Sequence, residues 1–294
     1  MLKKKLFALV ASLAAFIAAP AWAQTKDADP AIWVVKDDDT TVYLFGTVHV
    51  LKPGLSWFDE AVKDAFDKSD EVVLEMVEPE PATMQGLIMK FGLNTTGVPF
   101  TDKLSEANRA KLATAAADLG MPVEATGAFE PWLVAVMASM APLKKLGYEP
   151  ESGAERTLSD AAKAANKPVI GLETAEQQLG FFDTLPNDLQ ISYLATTLQN
   201  YDKVGPMIEK MVAQWAAGDP VALGDTMNEG MRETPEIGKV LLSDRNARWA
   251  EWIEKRMEKP GTVFVAVGAG HLAGNDSVQS YLAKRRLTAT RIAY

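Results

Sequence analysis

Near its beginning the chain reads Thr41-Val42-Tyr43-Leu44-Phe45-Gly46-Thr47-Val48-His49, and near its end Thr262-Val263-Phe264-Val265-Ala266-Val267-Gly268-Ala269-Gly270-His271. Each run is dense in β-branched and aromatic residues, which marks a strand. Each leaves that strand through Gly-x-x-His. The two histidines so placed are the only two in the chain. Glycine permits a sharp strand exit and a close backbone approach. In open parallel sheets, ligands sit beyond the carboxyl ends of the strands. The repeat therefore predicts that residues 41–45 and 262–267 are neighbouring parallel strands, with His49 and His271 facing one cleft.

The rest of the pattern agrees with an α/β fold. Residues 33–35 read as a first strand. Phe58, Val62 and Phe66 recur at helical spacing over residues 56–68, with Ser56 as N-cap. A strand follows at residues 71–76, and strand–helix–strand order signals a parallel sheet. Helices fit residues 105–119, ending at Gly120, then 131–146 with proline in the first turn, and 154–165. A short strand at 168–172 precedes a helix from Thr174. The chain closes on the strand 262–267, a helix over 277–286 and a strand over 288–292. The expected architecture is a central, mostly parallel sheet flanked by helices. A mostly helical insertion at about 77–165 covers the cleft, within one domain spanning 24–294.

Residues 1–23 read as a cleaved signal peptide. Lys3, Lys4 and Lys5 precede an apolar run, and Ala21-Trp22-Ala23 offers a small-residue cleavage site. The run is shorter than the roughly 20 residues that span a bilayer. The expected location is periplasmic or secreted, without stable membrane insertion after cleavage. The formal charge is −9, and no basic stretch interleaves with aromatics, so nucleic acid is excluded as a partner. With no cysteine, a thiol nucleophile, a thiolate-bound metal and disulfides are excluded as well. P-loop, dinucleotide glycine fingerprint, His-Glu-x-x-His and Gly-x-Ser-x-Gly patterns are absent.

Three further residues join the histidines as candidates. Glu75 lies inside the apolar strand 71–76, where a carboxylate needs a partner. It either joins His49 and His271, or pairs with a basic side chain such as Arg245 in a structural bridge. Two imidazoles and a carboxylate suit a divalent metal with an open position. Glu173 ends the short strand Val169-Ile170-Gly171-Leu172 and is either a site acid or a favourable charge at a helix N-terminus. Arg245 either holds an oxyanion or substrate carboxylate, or is a solvated helix charge. Trp132, Trp215, Trp249 and Trp252 read as core.

Together these pieces resemble a known family. Tyr43–His49, the Glu75 strand, Val169-Ile170-Gly171-Leu172-Glu173-Thr174 with Gln178-Leu179, Asp244-Arg245-Asn246, and Val265 through Gly274 are similar to the TraB/GumN family, which includes the Tiki-like proteins. The resemblance runs from about Trp33 to Ile292. It implies a fold like that of the haem-binding and erythromycin-esterase-like proteins. In the Tiki branch the two Gly-x-x-His motifs and a glutamate serve a divalent-metal-dependent peptidase. By position these are His49, His271 and Glu75, with Mn, Co or Zn as the metal. The stretch 78–148 falls outside the resemblance and is the expected seat of substrate choice.

Three functions follow as expectations. One is a metal-dependent, peptidase-like hydrolase acting on a peptide or small-molecule substrate, with Glu75 or Glu173 as base. Another is a binding protein without turnover, for haem or another ligand. The third is a metal-free, esterase-like hydrolase with His49 as base and Glu75 orienting it.

Overall fold

The computed structural model describes residues 25–231 and 234–293, so residues 1–23, where a signal peptide is expected, lie outside the described residues. No described helix is long and apolar enough to cross a membrane. Eight strands occur among the described residues: β1 (Lys26–Asp27), β2 (Ile32–Lys36), β3 (Thr40–Thr47), β4 (Leu55–Ser56), β5 (Glu71–Met76), β6 (Val169–Glu173), β7 (Gly261–Gly268) and β8 (Thr290–Arg291). Six of them form one sheet in the order β6-β5-β7-β3-β2-β8, while β1 and β4 pair apart. Strands β6, β5, β7 and β3 are mutually parallel. Strand β2 runs antiparallel to β3 and β8. The sheet is thus mostly parallel and flanked by helices, as the sequence predicts.

The two histidine-bearing strands are direct neighbours. Thr41 pairs with Thr262, Phe45 with Ala266 and Thr47 with Gly268. Alternation along them feeds two cores, because successive side chains point to opposite faces. Phe45, Phe264 and Ala266 join Trp57, Phe66, Leu158 and Trp215 on one face. Val42, Leu44, Val263 and Val265 join Trp249, Ile253 and Leu282 on the other.

The segment between β5 and β6 has two destinations. Helices Glu106–Asp118 and Pro131–Lys145 pack with the later helix Asn187–Gln199 around their own core, in which Leu112, Val134, Ala138 and Leu194 are buried. Helix Ala154–Ala164 instead lays Ala154, Leu158 and Ala162 on the sheet core. It completes the crossover from β5 to β6.

Most helix limits fall within two residues of their expected places, and Ser105 accepts the Asn108 amide at its N-cap position. The helix expected from Ser56 starts at Glu60. Ser56 lies in β4, where pairing with β1 claims its backbone, and its hydroxyl bonds Asp59. The apolar spacing of Phe58, Val62 and Phe66 was a sound signal for packing. It could not show that a strand pair pulls the first residues out of the helix.

Candidate functional site

The carboxyl ends of β3, β5, β6 and β7 meet at one place. Strand β3 delivers Thr47 and then His49. Strand β5 delivers Glu75, β6 ends on Glu173, and β7 runs through Gly268 into the short helical turn Ala269–Leu272 that carries His271. Helix Asp244–Arg256 brings Arg245 and Asn246 onto the same group. A β-carbon placed on Gly268 would lie 3.0 Å from Glu75 Oε1, 3.5 Å from His49 Nε2 and 3.6 Å from His271 Cδ2. The five residues singled out in the sequence, His49, Glu75, Glu173, Arg245 and His271, therefore converge, and Gly268 leaves the space between them open.

His49 is held by a residue the sequence reading passed over. Its Nδ1 lies 2.6 Å from Glu155 Oε1, which also accepts the Thr47 hydroxyl at 2.5 Å. Glu155 stands in the first turn of helix Ala154–Ala164. That turn abuts the histidine loop closely: the Ala154 amide bonds the Val48 carbonyl at 3.0 Å, and a β-carbon on Gly153 would overlap the His49 carbonyl. The only sequence signal was a glycine followed two residues later by an acid at a helix start. Such an acid is favoured at helix N-termini in any case, so the signal has low specificity.

The His49 side chain keeps 70 % of its surface open. The surrounding protein disfavours its charge, but the hydrogen bond and the charge of Glu155, with Glu75 behind, outweigh that and raise its pKa to about 9. Water over the ring screens part of this attraction. Because Nδ1 faces Glu155, Nε2 is the nitrogen turned toward Gly268.

Glu75 and Glu173 are buried and share one cation. Arg245 Nη2 donates to Glu75 Oε2 and to Glu173 Oε2, each at 2.7 Å, and Arg245 Nε reaches both Glu173 oxygens at 3.0 Å. Its Nη1 faces the Leu241 carbonyl and His271 Nε2, each at 3.2 Å. A guanidinium has five N–H donors, and here every nitrogen is engaged. Arg245 is thus neither a solvated helix charge nor, as arranged, a free anion binder. It forms the bridge to Glu75 that was one of the two readings of that carboxylate. Burial pushes Glu75 up, but the facing His271, Arg245 and His49, with the Gly268 amide at 2.6 Å, bring it down to about 2. With His271 neutral, Arg245 and the protonated His49 are the charges that do this. As arranged, both glutamates are engaged in this ion pair. Gln178 donates to Glu173 at 3.1 Å and reaches toward Glu75 at 3.4 Å.

His271 lies deep in the cluster, 5 % exposed. Its pKa falls to about 3, because burial disfavours its charge and Arg245 repels it, against the pull of Glu75. Trp249, expected only as core, forms a wall of the site: its ring lies 4.3 Å from that of His271 and 4.7 Å from the Arg245 guanidinium carbon. A π-helical turn, Lys239–Ser243, leads directly into the helix bearing Arg245. Such turns gather at functional sites.

The donor set was expected to take a divalent metal. Among the described residues, no group of three His, Asp or Glu side chains is arranged to hold one. The physical reason is Arg245, whose guanidinium occupies Glu75 Oε2 and faces His271 Nε2. A cavity of about 570 Å³ adjoins the cluster, walled by Met227, Lys239, Leu242, Ser243, Asn246 and Asp276 among others. It touches Asn246 but not His49, Glu75 or Glu155, so it is a neighbour of the cluster.

Comparison with known proteins places these features. A family model described as the TraB/PrgY/gumN family matches residues 31–291. The uncharacterized protein YbaP of Escherichia coli (strain K12) is 27 % identical over 209 residues, covering 67 % of this chain and 76 % of that protein. An uncharacterized protein of Treponema pallidum (strain Nichols) is 23 % identical over 272 residues, covering 87 % and 80 %. No solved structure matches the chain.

Proposed function

Since the chain belongs to the TraB/PrgY/gumN family, we propose that it is a hydrolase of peptide or small-molecule carbonyl substrates in which His49, held by Glu155, is the general base. The observation that carries this reading is the 2.6 Å contact between His49 Nδ1 and Glu155 Oε1, with Nε2 turned into the space above Gly268. A base oriented by a carboxylate through its other nitrogen is the arrangement that activates a nucleophile. Here the nucleophile is water. Its oxygen attacks the substrate carbonyl carbon, Nε2 takes the proton, and the same nitrogen returns it to the leaving group. The metal-free expectation named Glu75 as the orienting acid, and Glu155 takes that role instead.

The test is hydrolysis of a peptide library and an ester series by wild type, His49→Ala and Glu155→Gln. General-base loss costs about 10²–10⁴-fold, so His49→Ala should fall by that factor while keeping its fold. Hydrolysis that survives the His49→Ala change overturns the proposal.

A metal-assisted alternative keeps one observation in its favour, the convergence of His49, Glu75 and His271 around Gly268. It places Mn, Co or Zn on those three residues. It requires Arg245 to leave Glu75 and His271. Its signature is activity lost to a chelator and restored by metal. Export to the periplasm fits either reading and belongs to the same proposal, tested by the N-terminus of the mature protein.

A further inference from the structure

His271 is the second Gly-x-x-His histidine, yet the proposed reaction gives it no proton to carry. Its surroundings supply another role. Asn246 is 1 % exposed, and its Nδ2 donates to the Asp276 carbonyl at 2.7 Å. A carbonyl only accepts, so the amide nitrogen must point there, and Oδ1 must point the other way. Oδ1 lies 2.5 Å from His271 Nδ1. An amide oxygen also only accepts, so Nδ1 carries the proton. At the opposite end of the ring, Arg245 Nη1 lies 3.2 Å from Nε2. A guanidinium only donates, so Nε2 must offer its lone pair. The two ends of the imidazole are assigned independently, and they agree.

We infer that Asn246 is a positioning residue that locks His271 as its Nδ1–H tautomer, so that Nε2 acts as a fixed acceptor for Arg245. The chain of contacts runs from the Asp276 carbonyl through Asn246, His271 and Arg245 to Glu75 and Glu173. Each member has its donors and acceptors matched. The Nε2–H tautomer would set a hydrogen against the Arg245 donor and leave the Asn246 oxygen facing a lone pair, two buried mismatches at once. Trp249 against the ring bars it from turning over to escape them. In this arrangement His271 serves Arg245 as the fourth acceptor, after Leu241, Glu75 and Glu173. Arg245 is thereby prevented from swinging toward the space above Gly268.

The inference does not depend on hydrolysis, and its test needs no substrate. A chain with two histidines gives two imidazole spin systems in a long-range proton–nitrogen spectrum of full-length protein labelled with ¹⁵N-histidine. His49→Gln leaves only that of His271. The expected spectrum at pH 7.5 has a pyrrole-type Nδ1 and a pyridine-type Nε2 for His271. In Asn246→Asp, whose carboxylate still accepts, Nδ1 stays protonated. In Asn246→Leu, which offers no acceptor, the two nitrogen shifts move toward each other as the tautomers mix. A pyrrole-type Nε2 in the protein with Asn246 present overturns the inference outright, whether or not the Leu variant folds. An unchanged spectrum in a folded Asn246→Leu protein overturns it as well.

Discussion

His49 and Glu155 meet at 2.6 Å although one follows a strand near the start of the chain and the other opens the last helix of the inserted segment, more than a hundred residues on. Their contact gives His49 Nε2 its direction and, on the proposed reading, the pH range in which that nitrogen acts as base.

Only unprotonated His49 can take a proton from water. Glu155 raises its pKa to about 9, against 6.5 for an ordinary histidine. The rate should therefore be low at neutral pH and rise as pH increases through the raised value. In Glu155→Gln the rising limb should move to lower pH, while the maximal rate drops because the ring is less firmly oriented. The pH profile of kcat/KM for the two proteins checks this, and a limb that stays in place in Glu155→Gln contradicts it.

Arg245 is the cation in direct hydrogen-bond contact with both buried carboxylates, and Arg248 stands further off at 3.8 Å from Glu173 alone. Replacing Arg245 with Met should destabilise the protein by about 3–5 kcal/mol, the cost of leaving buried charge uncompensated. Glu75 is held at about 2, below its ordinary value, so the stability it contributes is present above the ordinary carboxylate range and is lost as pH falls through about 2. In Arg245→Met that contribution is gone, and the gap between the two proteins should narrow in acid. Urea unfolding at pH 7 and pH 4 measures both. A difference below about 1 kcal/mol at pH 7 would show that the pair does not matter to the fold.

The loop bearing His49 rests on Gly153, and an added methyl there overlaps the His49 carbonyl. Gly153→Ala should cost about 1–3 kcal/mol, as overpacking does, and should lower hydrolysis by displacing His49 from Glu155. Gly86, inside helix Pro81–Gly92, has open space around the same position. Gly86→Ala should stabilise by about 0.5–1 kcal/mol and leave activity alone. Thermal melts of the two variants give the contrast directly.

Hydrolysis by the histidine–glutamate pair should be indifferent to a strong chelator. Dialysis of purified protein against chelator, then assay with and without added Mn, Co or Zn, decides between the two readings. Metal-restored activity in wild type that is absent from His271→Ala would favour the metal-assisted one.

The sheet could be read in advance because its information is local. Eight successive residues of β3 and of β7 are rich in apolar side chains, and both run into the same Gly-x-x-His pattern, so their pairing is predictable before any contact is known. Glu75 and Glu173 stood out because an acid within or at the end of an apolar strand is costly without a partner. Glu155 and Asn246 gave no such signal. An acid in a first helical turn and a polar residue beside an arginine are common for reasons unrelated to any site. Their meaning comes only from what the topology sets against them, His49 for one and His271 for the other. For Arg245 the bridge to Glu75 is one of the readings the sequence offers, but its second carboxylate, Glu173, is not, since a charged residue on an amphipathic helix looks the same in sequence whether it meets water or two carboxylates.

Strand β7 lies between β3 and β5, although it is the last long strand to be made. Strands β3 and β5 share no ladder until it arrives. A chain ending before Gly261 has both neighbours of the gap but nothing to bridge them, and the pairing that closes it spans most of the polypeptide, which makes folding slow. Until residues 261–268 are in place, His49 and Glu75 have no shared strand to hold them together, and the proposed site is incomplete. A chain truncated before Gly261 should lack the proposed site altogether.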